Sequence, residues 1–253
     1  MLTKIMVGGL IVGLFSMIFG AKEVELTRPD FANVINKAVH FNNGVSLSYE
    51  IPGNLSNLMG FAGGYIAGSP RTFNVSVDEQ QGYSQRRWRM AKDIEGSMWD
   101  YLGDNKKGLG GELGTLYFDL SLNQYTGTSL EKHILREYEI YLNGPNGKNT
   151  KVRLDEMGET IPDEELGDWI VHAPTVIEKR MVGGAEFLYW QQRNEHRGYD
   201  FVYYVLPLDD QRFVSFMFKY TVKANSEQDL KEQTAIMLDD IETFMQRVTV
   251  SQS

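Results

Sequence analysis

The sequence predicts an α+β fold: an antiparallel sheet backed by helices, with a C-terminal amphipathic helix packed on the sheet. Three observations carry this reading. First, Ala185–Gln192, Tyr199–Pro207 and Gln211–Val222 read as successive strands, introduced by Gly183-Gly184. Second, the third strand alternates. Val214, Phe216, Phe218, Tyr220 and Val222 fall on one face, and Phe213, Ser215, Met217, Lys219 and Thr221 on the other. Alternating aromatic and β-branched residues are the strand signature, and two partly apolar faces indicate a central strand covered on both sides. The short Leu208-Asp209-Asp210 connection makes it an antiparallel neighbour of the strand before it. Third, Ser226 opens a capping box with Asp229, and Leu230, Thr234, Met237, Ile241, Phe244 and Val248 then recur at helical spacing as far as about Arg247. Glu227, Glu232, Asp239, Asp240 and Glu242 lie largely off that stripe. The stripe must be buried, and the preceding sheet is the nearest partner.

The remaining elements follow in order. Met1–Lys4 is a short basic start, Ile5–Phe19 is uncharged and apolar, and Gly20-Ala21 follows. Residues 1–21 therefore have the form of a secretory signal peptide or an N-terminal membrane anchor, and a single α+β domain is placed at 30–250. Either role puts the domain in the periplasm or on the periplasmic face of the inner membrane. Pro29–Lys37 reads as weakly helical. Asn43-Gly44 predicts a type I′ hairpin, leading into a strand in which Val45, Leu47, Tyr49 and Ile51 alternate with polar residues. Leu58–Gly68 is apolar and glycine-rich. Phe73, Val75 and Val77 alternate as a strand. Arg87–Leu102 reads as a helix burying Trp88, Met90, Ile94, Met98, Trp99 and Leu102, and Asn105–Gly114 as a loop. Thr115–Leu122 reads as a strand. A helix begins at Ser129 and runs to about Leu142, where Gly144-Pro145-Asn146-Gly147 ends it. Trp169–Val182 returns to the sheet.

With hydrophobic residues at 42% and charged residues at 23%, this is neither a disordered chain nor a polytopic membrane protein. It contains no cysteine, which excludes thiol catalysis, thiolate metal sites and disulfides. The formal net charge of −9 repels nucleic acid and suits a basic partner.

Motifs for catalysis are sparse. Neither Gly-x-Ser-x-Gly nor a Walker A sequence occurs. The glycine-rich Gly108–Gly114 precedes a strand, whereas a dinucleotide loop follows one and opens a helix. His133 and Glu137 stand one helical turn apart, the spacing of a metal pair, but no third ligand is identifiable and a surface pair accounts for them. Arg86, Arg87, Arg89 and Lys92 form a basic cluster of the kind usual on a surface. No motif implies a cofactor.

The most distinctive feature is acidic. Between residues 155 and 168 stand Asp155, Glu156, Glu159, Asp163, Glu164, Glu165 and Asp168, with no Lys or Arg. The spacing is not that of an EF-hand. A solvated connector is one reading; the other is a surface that docks a basic protein, with charge steering its association.

The Gly44–Gly53 strand (Gly-Val-Ser-Leu-Ser-Tyr-Glu-Ile-Pro-Gly), the Arg180-Met181-Val182-Gly183-Gly184 lead, and the paired strands with their terminal helix to Phe244 resemble the Mog1/PsbP-like superfamily, including DcrB-type envelope proteins. The resemblance implies no active site. Bacterial immunity proteins against type VI secretion effectors share this fold class. The resemblance thus implies an exported, non-enzymatic protein-binding domain whose partner is a basic effector or envelope protein. Two other classes compete with it. One is an envelope protein holding lipid or another apolar ligand, lined by Phe61 and Tyr65. The other is a hydrolase built on a carboxylate pair.

Overall fold

The computed structural model describes residues 26–56, 72–73, 84–105, 109–127, 129–154, 160–166, 169–193 and 199–252. Residues 1–21, expected as a leader, and the segment 58–68 lie outside them.

The strands are β1 (Val34–His40), β2 (Val45–Pro52), β3 (Thr72–Phe73), β4 (Ser84–Arg86), β5 (Arg89–Asn105), β6 (Leu109–Gln124), β7 (Glu178–Val182), β8 (Ala185–Gln192), β9 (Asp200–Pro207), β10 (Arg212–Val222) and β11 (Thr249–Gln252). The helices are α1 (Leu130–Asn143), α2 (Lys148–Val152), α3 (Asp163–Leu166) and α4 (Glu227–Gln246). Among the described residues, seven strands form one antiparallel sheet in the order β4-β5-β6-β10-β9-β8-β7, and four form a smaller sheet ordered β11-β2-β1-β3. The fold is α+β, with its terminal helix on the sheet as the alternation and capping box require.

β10 sits at the centre of the large sheet, paired with β6 and β9, and both its faces are covered. Val214, Phe216, Phe218 and Tyr220 join Phe118, Leu120, Trp99 and Tyr204 in a core closed by Met237, Ile241 and Phe244 of α4 and by Val39, Leu47, Tyr49 and Ile51 of the small sheet. The Phe244 ring lies 4.7 Å from Phe118 and 5.3 Å from Phe218. On the opposite face Phe213, Met217, Tyr203 and Trp190 pack under Leu130, Ile134, Tyr138 and Leu142 of α1. Trp88 enters this second core from the β4–β5 turn and stacks on Tyr138 at 4.9 Å.

Several expectations need correction. Residues 34–40 are a strand, not a helix: each pairs with β2, from Val34↔Pro52 to His40↔Ser46. The hairpin joining them has a positive φ only at Gly44 (+86°), and the Gly44 amide donates to the Phe41 carbonyl at 3.1 Å. It is the three-residue loop whose last residue is left-handed, not a type I′ turn. Among the described residues, the two-residue turn with both φ angles positive is Gly183-Gly184 (+56° and +90°), between β7 and β8.

Of the helix expected at 87–102, residues 89–102 are strand. This stretch is most of β5, paired along its length with β6. A bulge between Asp93 and Glu95 shifts the register. Before it, odd-numbered residues such as Arg89 and Ala91 face α1; after it, the odd-numbered Trp99 and Tyr101 face α4. The change of parity breaks the two-residue period and leaves apolar residues at spacings that imitate a helix. Trp88 and Trp99 are buried, but Met90 and Leu102 are exposed. The loop expected at 105–114 shrinks accordingly, because β6 begins at Leu109. In the other direction, Trp169–Val182 is strand only from Glu178. Of the strand expected at Phe73–Val77, residues 74–77 lie outside the described residues.

Candidate docking surface

The acidic stretch is built onto α1. The Ser129 side chain caps that helix by accepting from the Lys132 amide, and Leu130, Ile134, Tyr138 and Leu142 bury one stripe against the sheet. Gly144 and Gly147 then turn the chain tightly: a Cβ at Gly147 would lie 2.4 Å from the Leu142 carbonyl oxygen. This brings Asn149, which is buried, under residues 170–171. Its Nδ2 donates to the Val171 carbonyl at 2.7 Å and its Oδ1 accepts from the Val171 amide at 3.0 Å. Asn149 Nδ2 and Arg153 Nη1 also reach Asn143 Oδ1, at 3.0 and 3.1 Å. One buried amide side chain therefore clips the segment leaving the acidic stretch to the helix entering it. A second tie closes the loop base: Leu154 and Thr160 form an antiparallel bridge, and the Ile161 amide donates to the Arg153 carbonyl at 2.7 Å.

Asp155, Glu156, Glu159 and Asp168 lie outside the described residues. Asp163 and Glu164 open α3, and Glu165 is exposed. Two apolar side chains flank the stretch: Leu154 is 49% exposed and Trp169 is 53% exposed. In sequence Trp169 reads as the start of a strand, and nothing local singles out Leu154 or Asn149. The available signal was the adjacency of an aromatic residue to the end of a charge run. Large aromatics with a charged surround are the composition of binding hot spots.

The other charged clusters hold elements together. Arg89, expected at the surface, has a side chain only 2% exposed. It donates to Asn123 Oδ1 at 2.9 Å, Asp119 Oδ2 at 3.1 Å and Ser121 Oγ at 3.3 Å, running along β6 beneath α1. Burial pushes the Asp119 carboxyl up, against the pull of Arg89. Arg87 takes a positive φ of +52° in the β4–β5 turn and lays its guanidinium 3.8 Å from the Phe201 ring centre. Lys37 and Glu95 form a buried pair at 3.3 Å between the two sheets, and burial raises the Glu95 carboxyl above its ordinary range. Arg180 lies 3.2 Å from the Tyr189 ring centre and donates to Glu242, which also accepts from Tyr204. Each of these groups is matched by a partner from another strand or helix, an arrangement that fixes register.

His133 packs 5.7 Å from the Tyr125 ring, and burial lowers its pKa despite the nearby Glu137. Among the described residues no three His, Asp or Glu side chains gather as metal ligands. Gly108 lies outside the described residues, and the remainder of its glycine-rich run is strand. Phe61 and Tyr65, the expected lining of an apolar-ligand pocket, also lie outside them. Among the described residues no helix is long and apolar enough to cross a membrane.

No family model matches the chain, and no curated protein matches it. Among solved structures, LpqN of Mycobacterium tuberculosis, described as involved in cell envelope biogenesis, is similar at a TM-score of 0.31 and 11% identity. The likeness covers 64% of this chain and 90% of LpqN. At that TM-score nothing is carried from LpqN to this chain.

Proposed function

We propose that this chain is an exported, non-catalytic binding domain that docks a basic protein through the surface running from Leu154 to Trp169. One observation carries the reading. Seven acidic residues without a base are bracketed by two half-exposed apolar side chains, on a base fixed by the Asn149–Val171 clip. The two components have separate roles. The acids supply long-range attraction, which raises association rates and is screened over about 8 Å at physiological salt. Trp169 supplies apolar area, which slows dissociation. A fixed base lowers the ordering cost of binding.

Export is supported by the leader-like residues 1–21. A non-catalytic reading is supported by the way the buried Glu95 and Asp240 and the part-buried Asp119 are committed to partners within the fold. The resemblance to Mog1/PsbP-like proteins supports the narrowest version: an immunity protein that covers a secreted antibacterial effector. The test is capture from the native envelope with residues 22–253 as bait. The partner should be a basic protein, and its recovery should fall with rising salt. Recovery of lipid instead, or turnover of a substrate by the purified chain, would replace this reading with one of its two competitors.

A further inference from the structure

We infer that, with the leader retained as an anchor, one particular end of the domain faces the lipid surface: the end carrying Leu26, Leu102, Glu112 and Leu230. The inference rests on the anchor reading of residues 1–21 and deepens it.

The folded structure begins almost at the leader. Thr27 bridges Leu102 at the edge of the large sheet, its amide donating to the Leu102 carbonyl at 2.7 Å and its carbonyl accepting in return at 3.1 Å. Arg28 is pinned on Asp240 at 2.5 Å, and its carbonyl accepts from Asn54 at 2.7 Å. Going back from Arg28 towards the leader, the chain moves away from Asp240. A Cβ at Gly103 would lie 3.5 Å from Leu26, so Leu26 packs beside Gly103.

That direction leads to one end of the domain. The Lys223 amide donates to the Leu113 carbonyl at 2.8 Å, and its ammonium pairs with Glu112 at 2.5 Å. Three residues later Ser226 caps α4. The end of β5, the start of β6, the end of β10 and the first turn of α4 therefore lie together. Leu102 and Leu230 are both exposed there.

The lengths then decide the orientation. From Phe19, where the apolar stretch ends, to Leu26 is seven residues, spanning at most about 25 Å when fully extended. A domain of this size is roughly 45 Å across, judged from the usual scaling of radius of gyration with length. A tether shorter than the domain, joined to a bridged and ion-paired segment, cannot present the opposite end to the bilayer. That opposite end carries Met181. It lies near the last turn of α4, where the Val250 amide donates to the Gly183 carbonyl at 3.0 Å, and a helix of 20 residues is about 30 Å long.

The chain has no cysteine, so single labels are clean. Full-length protein with a fluorophore at Glu112→Cys or at Met181→Cys is reconstituted in phosphatidylethanolamine/phosphatidylglycerol vesicles carrying a headgroup quencher. Intact mass from the envelope reports whether residues 1–21 remain. The expected result is a retained leader and quenching several-fold stronger at position 112 than at 181. Equal quenching with a retained leader would overturn the orientation and leave the anchor standing. A mass lacking the leader would overturn both.

Discussion

The Tyr101 hydroxyl donates to Asp240 Oδ2 at 2.6 Å, deep between strand β5 and helix α4. Arg28 holds the other carboxylate oxygen at 2.5 Å, so three distant segments meet on one carboxylate that is 0% exposed. Burial pushes the Asp240 carboxyl above its ordinary value of 3.8, against the Tyr101 hydrogen bond and the Arg28 charge. The sign follows from proton linkage. A carboxyl raised in the folded state binds more protons there than in the unfolded state, so its contribution is full below the unfolded pKa and is lost as pH rises through the folded one. Asp240→Asn removes this dependence. Its stability deficit against the wild type should therefore be larger near about pH 4 than near about pH 6. Denaturant midpoints of both proteins at the two pH values check this, and a deficit that grows with pH would contradict the raised pKa.

The α4 stripe supplies a second set of outcomes. Ile241 is buried in the main core, so Ile241→Ala should cost roughly 2–5 kcal/mol. Leu230, at the start of the apolar recurrence, is 45% exposed, and Leu230→Ala should cost under about 0.5 kcal/mol. Glu242 reads as a surface residue in sequence, yet it accepts from Tyr204 at 2.8 Å and from Arg180 at 2.7 Å. Glu242→Ala should therefore cost about 1 kcal/mol, the scale of a part-buried hydrogen bond. Urea midpoints rank the three variants, and a different order would mean that α4 is rotated about its axis.

Arg89 makes the sharpest electrostatic prediction. Arg89→Leu leaves the buried Asn123 and the part-buried Asp119 without their main donor. The expected cost is about 3–5 kcal/mol, the range for breaking one side of a buried pair. Adding Asp119→Leu should restore part of it, since the stranded charge is then gone. A double variant no more stable than the single one would show that packing, not charge, sets the loss.

Neighbouring glycines in one turn should respond differently. Both Gly183 and Gly184 hold positive φ, but a Cβ at Gly183 would lie 2.2 Å from the Val248 carbonyl oxygen, while none meets an atom within 4 Å at Gly184. Gly184→Ala should cost about 1 kcal/mol of backbone strain, and Gly183→Ala clearly more, because β11 must also shift. Thermal midpoints separate the two, and equal losses would remove the close approach from the account.

How far the fold is legible depends on whether local pattern survives. Strands β8, β9 and β10 and helix α4 read correctly because their alternation is unbroken and Ser226 caps the helix as a capping box predicts. Strand β5 misreads because the bulge after Asp93 reverses which side chains face inward. Strand β1 misreads because Lys37, a charge, takes an inward position that only its distant partner Glu95 makes tenable. Asp240 reads as solvent-facing because nothing local reveals Tyr101 and Arg28, respectively 139 and 212 residues away. At the docking surface the charge run is plain in sequence. The exposure of Leu154 and Trp169 is not, because it follows from how Asn149 clips the chain to Val171.

The central proposal, docking through the Leu154–Trp169 surface, is tested most directly by binding with three variants of the chain. Once the envelope partner is captured, its association and dissociation are measured at low and high salt. Asp163→Ser, Glu164→Ser and Glu165→Ser together should slow association several-fold at low salt and by less at high salt, with stability unchanged. Trp169→Ala should instead speed dissociation, by about tenfold or more for a loss above 1.4 kcal/mol. Leu230→Ala, exposed on another element, should match the wild type in both. Rates that are the same for all three variants and the wild type would contradict the proposal and leave residues 155–168 as a solvated connector.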